Sequence, residues 1–390
     1  MHGIKKYTAK NMKVIHIAPV KTAKVLGSNV LTAEGLSNSV FNLIEAQNRN
    51  DIDAGLLTLK KPAIDAFFNE TLYNESIVSL IFPNFYLEIV KKFGEPDVVH
   101  SHDIYSVKQL LLLWTIVNSG AKVYISPRGV FSKVALSRSK YKKLLFRIIF
   151  DFLIVRKIYG FVALNIGEER SIKELYPNKR IIVAPNGVRY NYTGHCYFDR
   201  NFREKYQQSI VNIGFLGRFD VYIKGLDILL NSYVEYQART TNIKIKLTFV
   251  GEHRNKNEFS STDFFRKISR KLVDKSMFDV RPPSYGDAKW EEITKFDVLI
   301  QPSRTEGMPN TVLEAMSIGV PCVVSKQTNM SDIIHEAQCG WVTDLNEDSL
   351  LNIFTHLEKM DKITMIRSGI NGMKYVKKNL TWDIVSKIPY

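Results

Sequence analysis

Cysteine is scarce, with three residues in 390: Cys196, Cys322 and Cys339, widely spaced and odd in number. They make neither a disulfide framework nor the paired spacing of a zinc site, which suits a reducing cytosol, and each reads as a small apolar residue. Long apolar runs are missing too. The nearest candidates are 110–117, too short to cross a bilayer, and 144–155, which Arg147 and Asp151 interrupt. The basic start MHGIKKYTAK is followed by no apolar stretch with a small-residue cleavage site, so no leader is expected. Residues 1–11 read as dispensable, with Met12 as an alternative start. Gly/Ser linkers, low-complexity tracts and repeats at solenoid periods are also absent. What remains, 45% hydrophobic and 24% charged residues, is the composition of a globular protein and excludes disordered and fibrous classes.

The net charge of +15 is unevenly spread. Residues 1–200 hold 28 Lys and Arg against 16 Asp and Glu, a net of +12, whereas 201–390 hold 26 against 23, a net of +3. An anionic partner is therefore expected at the N-terminal half. The segment 133–157 concentrates the excess: Lys133, Arg138, Lys140, Lys142, Lys143, Arg147, Arg156 and Lys157 stand against Asp151 alone. Within it Leu144, Leu145, Ile148, Ile149, Phe152 and Leu153 recur at helical spacing. It reads either as a core-packed helix with a solvated face or as a peripheral contact with an anionic bilayer, reinforced by Phe146 and Phe150. No recognition motif accompanies the charge, so nucleic acid is not an expected partner.

Short β-branched runs alternate with helical patterns throughout, the signature of βα units around parallel sheets. Strands are expected at 13–17, 54–59, 98–100, 122–125, 160–163 and 180–184, and helices at 37–47 and 107–117. The pattern restarts with strands at 210–216, 244–250, 277–280, 297–300 and 322–324. The expected class is therefore α/β, with two doubly wound Rossmann-like domains at 1–195 and 208–375. Residues 376–390 are expected to form a C-terminal helix returning toward the first domain. Ligands of such sheets bind at the carboxyl ends of the strands, here expected in a cleft where the domains face each other.

Chemistry concentrates in QPSRTEGMPNTVLEAMSIGVPCVV, residues 301–324. A buried strand runs into a Pro-Ser loop, then Glu306-Gly307-Met308-Pro309-Asn310, then a short helix. Asn310 or Thr311 is expected to cap that helix, and Gly319 with Pro321 to stop it. The amides of 307–311 would then converge on an anion site, with Glu306 before the helix and Glu314 one turn inside it. A second segment supplies cations. Gly217 ends a strand and lets backbone approach a ligand, Arg218 can grip a phosphate bidentately, and Lys224 adds a point charge. Together the two cations can stabilise a departing diphosphate without a metal.

These segments resemble glycosyltransferase family 4, retaining enzymes of the GT-B fold. The likeness rests on GRFDVYIKG (217–225), the 302–324 stretch and PNGV (185–188), with VIHIAP (14–19), VVHSH (98–102) and Trp382 fitting more loosely. It implies that Arg218 and Lys224 hold the donor diphosphate, that Glu306 faces the donor sugar, and that Glu314 accepts the ribose hydroxyls. Gly307, Met308, Pro309, Asn310 and Thr311 would contact sugar and phosphates. It also implies same-face attack, with the departing phosphate taking the acceptor proton. Where many relatives carry His-Gly after the fourth strand, this chain has Ser126-Pro127-Arg128-Gly129, so Arg128 can take a phosphate or acceptor role. The Gly-Gly…Glu pattern of many relatives reads here Thr328-Asn329-Met330-Ser331-Asp332.

His100, His102 and Asp103 cluster at a strand end without a third or fourth ligand at matching spacing, so no metal is expected there. The Asp51/Asp53 pair reads as a solvated turn. His102 and Gly35, before the first helix, are further acceptor-side candidates. The expectation is a hexosyltransferase, metal- and cofactor-independent, moving a hexose or N-acetylhexosamine from a nucleotide diphosphate sugar to a saccharide acceptor. That acceptor is expected to be polyprenyl-diphosphate-linked and to belong to bacterial surface polysaccharide (O-antigen, capsule or exopolysaccharide). The enzyme is expected in the cytoplasm, peripheral at the inner face of the membrane. A nucleotide-sugar epimerase or hydrolase of the same fold is the alternative.

Overall fold

The computed structural model of the chain describes residues 12–19, 22–24, 31–33, 35–58, 77–79, 85–137, 140–189, 209–253, 255–256 and 259–390. Residues 1–11, Arg138, Cys196, Leu59 and most of the expected inter-domain stretch 187–208 lie outside them. The chain divides into two compact units, Met1–Gly187 with Trp382–Tyr390, and Val188–Thr381. The helix Lys362–Asn379 runs across the expected boundary at 375, so the second unit ends at Thr381.

In the first unit β1 (Lys13–Ala18) is followed by a small antiparallel pair, β2 (Thr22–Lys24) and β3 (Leu31–Ala33). Then come β4 (Asp53–Thr58), β5 (Ile77–Ser79), β6 (Val98–His102), β7 (Lys122–Ser126), β8 (Gly160–Ala163) and β9 (Arg180–Val183). The main sheet is parallel, in the order β5-β4-β1-β6-β7-β8-β9. The second unit contains β10 (Val211–Leu216), β11 (Ile245–Val250), a two-residue antiparallel pair β12 (Asn255–Lys256) and β13 (Phe259–Ser260), β14 (Phe278–Arg281), β15 (Val298–Gln301), β16 (Cys322–Ser325) and β17 (Gly340–Thr343). Its sheet, also parallel, is ordered β14-β11-β10-β15-β16-β17.

Both sheets start at a central strand, grow to one edge and then reverse, the doubly wound arrangement that opens a crevice at the carboxyl ends of the two strands flanking the switch. The switch lies between β1 and β6 in one unit and between β10 and β15 in the other. Residues VNIGFL, IKLTFV and VLIQ form β10, β11 and β15 because parallel strands covered on both faces need near-continuous apolar runs. The edge strands β5 and β17 carry weaker patterns, three residues in one and a half-buried GWVT in the other, and had no counterpart in the sequence reading.

Packing at the second switch is tight. Gly214 in β10 pairs with Leu299 in β15, and a Cβ on Gly214 would stand 2.2 Å from the buried Phe296 ring. Gly214→Ala is therefore expected to destabilise the protein by about 1–3 kcal/mol through overpacking. Urea unfolding of the variant measures this, and an unchanged midpoint would contradict the packing described.

Candidate active site

In the second unit the chain leaves β10 through Gly217 to the exposed Arg218. The following turn closes with Lys224 N donating to Asp220 O and Leu226 N to Val221 O. Gly225, at φ +65°, ends the turn, and a Cβ there would meet Pro302 O at 2.0 Å. Only a glycine lets this turn lie directly on the loop that leaves β15. Arg304 fastens the contact: its N–H donates to Ile223 O at 2.8 Å, and its guanidinium grips Asp227 at 2.6 and 2.7 Å. The same guanidinium stacks over Tyr222, 4.2 Å from the ring centre. In consequence Lys224 Nζ donates to Glu306 Oε1 at 2.5 Å. Ser303 Oγ and Gln301 Nε2 donate to the same oxygen at 2.8 and 3.2 Å. The loop after β16 adds Asn329, whose side chain donates to Glu306 O at 2.8 Å, while Glu306 N donates to Gln327 O. The segment that departs from the glycine-rich pattern of relatives thus holds Glu306 in place.

Glu314 lies in the helix Asn310–Ser317, which takes Pro309 as its N-cap without a side-chain cap bond. Asn310 and Thr311 are therefore helical residues and not caps, because the fixed backbone of Pro309 already supplies the extended entry. Gly319, at φ +88°, follows the helix end as expected. One carboxylate oxygen of Glu314 accepts from Lys289 Nζ at 2.6 Å. The other, Oε2, is buried and has no hydrogen-bond partner among the described residues. A buried carboxylate oxygen left without a donor is costly, and a hydroxyl-bearing ligand relieves that cost. Met308 is buried, and Thr311 Oγ1 donates to Gln301 Oε1 at 3.5 Å.

The switch point of the first unit holds a second polar cluster. His16 in β1 is in register with His100 in β6, and with His102 the three rings lie 4.1–5.2 Å apart, all buried. His16 Nδ1 meets His102 Nε2 at 2.9 Å, and His16 Nε2 meets Gln47 Oε1 at 2.7 Å. His100 bonds the Tyr390 hydroxyl at 2.8 Å and Ser126 Oγ at 2.7 Å. Arg128 donates to His102 Nδ1 at 3.1–3.2 Å and to Asn186 Oδ1 at 3.2 Å. The three histidines have the proximity of a metal-ligand set, but each of their six ring nitrogens already carries a hydrogen bond, and a cationic guanidinium faces His102. Burial, reinforced by the Arg128 charge, lowers the His16 pKa to about 4 and holds His100 and His102 well below the usual histidine range. Burial also lowers the Arg128 pKa, to about 10. Glu168 fixes the turn carrying Arg128 by accepting from Gly129 N and Leu164 N at 2.5 and 2.7 Å.

Gly35 is the first residue of the helix Gly35–Arg49 and not part of a turn before it. The basic tract is split among two helices, Lys133–Ser137 and Lys140–Phe150, and a π-helical turn, Asp151–Val155. Phe150 is fully buried, and Phe146 and Leu153 pack on the core, so these three do not belong to an outward face. Tyr141, Leu145, Ile148 and Phe152 are exposed instead, at spacings of four, three and four. Val107, Leu111 and Trp114 form a similar exposed stripe on the expected helix Val107–Val117, a face that the sequence pattern alone does not mark as exposed.

Residues 211–357 match the family model described as Glycosyl transferases group 1. The second unit carries a group 1 glycosyltransferase domain. Most of the chain is similar to an uncharacterised 41.2 kDa protein of the cps region of Klebsiella pneumoniae, 25% identical over 356 residues and covering 86% of this chain and 87% of that one. A shorter stretch of 89 residues is 35% identical to an Escherichia coli UDP-Gal:alpha-D-GlcNAc-diphosphoundecaprenol alpha-1,3-galactosyltransferase, covering 21% of this chain and 23% of that one. Among solved structures, Anabaena HepE in complex with UDP-glucose superposes with a TM-score of 0.69 at 13% identity, over 96% of this chain and 97% of that one. The fold is that of the GT-B glycosyltransferases.

Within the glycosyltransferase domain the structure joins Lys224 to Glu306 and gives Glu314 a different lysine. Lys289 was missed from sequence because nothing in GDAKWEEIT marks one lysine of a surface helix as the partner of a carboxylate 25 residues on. His16 was missed because it lies 84 residues before His100 and only sheet register brings the two together. The buried histidines protonate more readily in the unfolded chain than in the folded one. The unfolded state therefore takes up more protons once pH drops below about 6.5, and stability falls from there toward about pH 4, where His16 titrates in the folded state. Thermal melts between pH 7.5 and 4 are expected to show this decline, with a shallower slope for His16→Gln. Parallel slopes for the two proteins would contradict it.

Proposed function

We propose that the protein is a retaining glycosyltransferase of the family 4 type that moves a hexose or N-acetylhexosamine from a nucleotide diphosphate sugar to a saccharide acceptor. The observation that carries the reading is the Lys224–Glu306 pair at the switch point, beside a Glu314 whose buried Oε2 lacks a donor. Lys224 and Arg218 supply positive charge where the diphosphate departs, and no metal ion is required. Glu306, held by Lys224, Ser303 and Gln301, faces the donor sugar, and Glu314 accepts from the ribose hydroxyls. The bond from the anomeric carbon to the diphosphate breaks as the acceptor hydroxyl attacks from the same face, and a departing phosphate oxygen takes its proton. Gly217 and the Gly307–Met308–Pro309–Asn310–Thr311 segment line the sugar and phosphates.

The acceptor is a polyprenyl-diphosphate-linked saccharide of a bacterial surface polysaccharide. Support comes from the Escherichia coli relative, whose name specifies a diphosphoundecaprenol acceptor, and from the cps-region relative. Arg128, beside His102, belongs to the acceptor side, as does the helix start at Gly35. An anionic membrane surface at the cytoplasmic face meets the exposed apolar stripes and the basic residues Lys142, Arg156 and Lys157 beside them.

Lys224→Ala and Glu306→Ala are each expected to lower transfer by about 100-fold or more with the fold intact. Product assays on a panel of nucleotide sugars, with circular dichroism as the fold control, measure this. Full activity in either variant overturns the roles, and complete turnover of donor without acceptor points to an epimerase or hydrolase. On vesicles containing phosphatidylglycerol, Leu145→Glu with Phe152→Glu is expected to weaken binding by about tenfold or more. Unchanged co-sedimentation would remove the membrane face from the account.

A further inference from the structure

The polar cluster of the first unit has a direction. Arg128 has only donors, so His102 Nδ1 must accept, and the proton of His102 sits on Nε2. That proton goes to His16 Nδ1, which leaves the His16 proton on Nε2, pointing at Gln47 Oε1. From the opposite end Gln47 Nε2 faces the carbonyl of Ser386 at 3.3 Å, a group that only accepts, so Gln47 Oε1 must turn toward His16. Two independent ends thus impose the same polarity. The chain continues as Gln47 Nε2 donates to the Tyr390 hydroxyl at 3.4 Å, and a Tyr390 hydroxyl that passes its own proton to His100 Nδ1 places the His100 proton on Nε2, facing Ser126 Oγ.

At its head stands a cation that no carboxylate contacts directly, although the Glu168 and Asp103 charges act on it through space. No carboxylate lies within salt-bridge distance of the Arg128 guanidinium among the described residues, since the nearby Glu168 is committed to the Gly129 and Leu164 amides. The backbone of Arg128 adopts φ +56°, a left-handed conformation that a non-glycine residue holds only when its surroundings enforce it. Of the five guanidinium N–H groups, His102 and Asn186 take three, and Arg128 lines a small pocket with Asn186, Ser126, His100, Trp382 and Ile388.

We infer that His102, His16 and Gln47 are positioning residues whose one-way hydrogen-bond chain, anchored by Ser386 and Tyr390, presents the remaining N–H groups of Arg128 to a diphosphate of the acceptor. The inference rests on the glycosyl-transfer reading for the word acceptor, but the chain and its anion site stand on geometry of the first unit alone. Neutral imidazoles suit this task because they orient the guanidinium without neutralising it, as a carboxylate would.

The test follows imidazole and arginine side-chain signals by NMR in the full chain while inorganic diphosphate is added. All three histidines are expected as Nε2–H tautomers, and diphosphate is expected to shift the Arg128 Nε and His102 signals together. His102→Leu should weaken that binding about tenfold, the value of a hydrogen bond to a charged group. His102→Asn, which keeps an acceptor for Arg128, should restore it to within about threefold. An Nδ1–H tautomer at any of the three, no shift with diphosphate, or equal weakening by Leu and Asn overturns the proposal. Nucleotide-sugar binding to the same sample is scored separately, and its absence overturns the glycosyltransferase reading without touching the chain.

Discussion

Gly225 has no Cβ, and the donor-side geometry follows from that. A methyl group there would stand 2.0 Å from Pro302 O, so any other residue pushes the turn 220–225 away from the loop that leaves β15. With the two in contact, Arg304 can clamp Asp227 and the Ile223 carbonyl, and Lys224 reaches Glu306. A carboxylate that collects a lysine, a serine and a glutamine on one oxygen is fixed before any ligand arrives, which is what a transfer site needs.

The two units apply one topology to different ends. Each brings polar groups to the carboxyl ends of the strands at its switch point, where backbone and side chains converge without a covering element of the same sheet. In the glycosyltransferase domain the residues gathered there are two carboxylates with a lysine each. In the first unit they are three neutral histidines and an arginine. Carboxylates suit the hydroxyls of a sugar and a ribose, and an arginine whose guanidinium no carboxylate grips directly suits a phosphate.

Much of this was legible in the sequence, and the parts that were not share a cause. The parallel strands announced themselves as apolar runs such as IKLTFV, and the Glu306 loop as a Pro-Ser turn followed by a short helix. Lys224 and Glu306 were named from their local segments, yet their 2.5 Å contact depends on the Gly225–Pro302 approach, which no local pattern records. Lys289, His16 and Gln47 were invisible because each acquires its role from a partner tens of residues away. The membrane reading placed Phe146 and Phe150 outward, but the two lie one turn apart on Lys140–Phe150, their rings stack at 6.2 Å, and both pack inward on the core.

The assignment of Glu314 to the ribose is the part of the account that fewest other contacts prop up, since it rests on a buried oxygen without a donor. Calorimetric binding of a nucleoside diphosphate and its 2′,3′-dideoxy counterpart to the wild-type protein tests it directly. The ribose form is predicted to bind about tenfold or more tightly, the consequence of leaving a buried charged acceptor unpaired. Equal affinity of the two nucleotides would contradict the assignment and, with it, the donor site as drawn around Glu306 and Glu314.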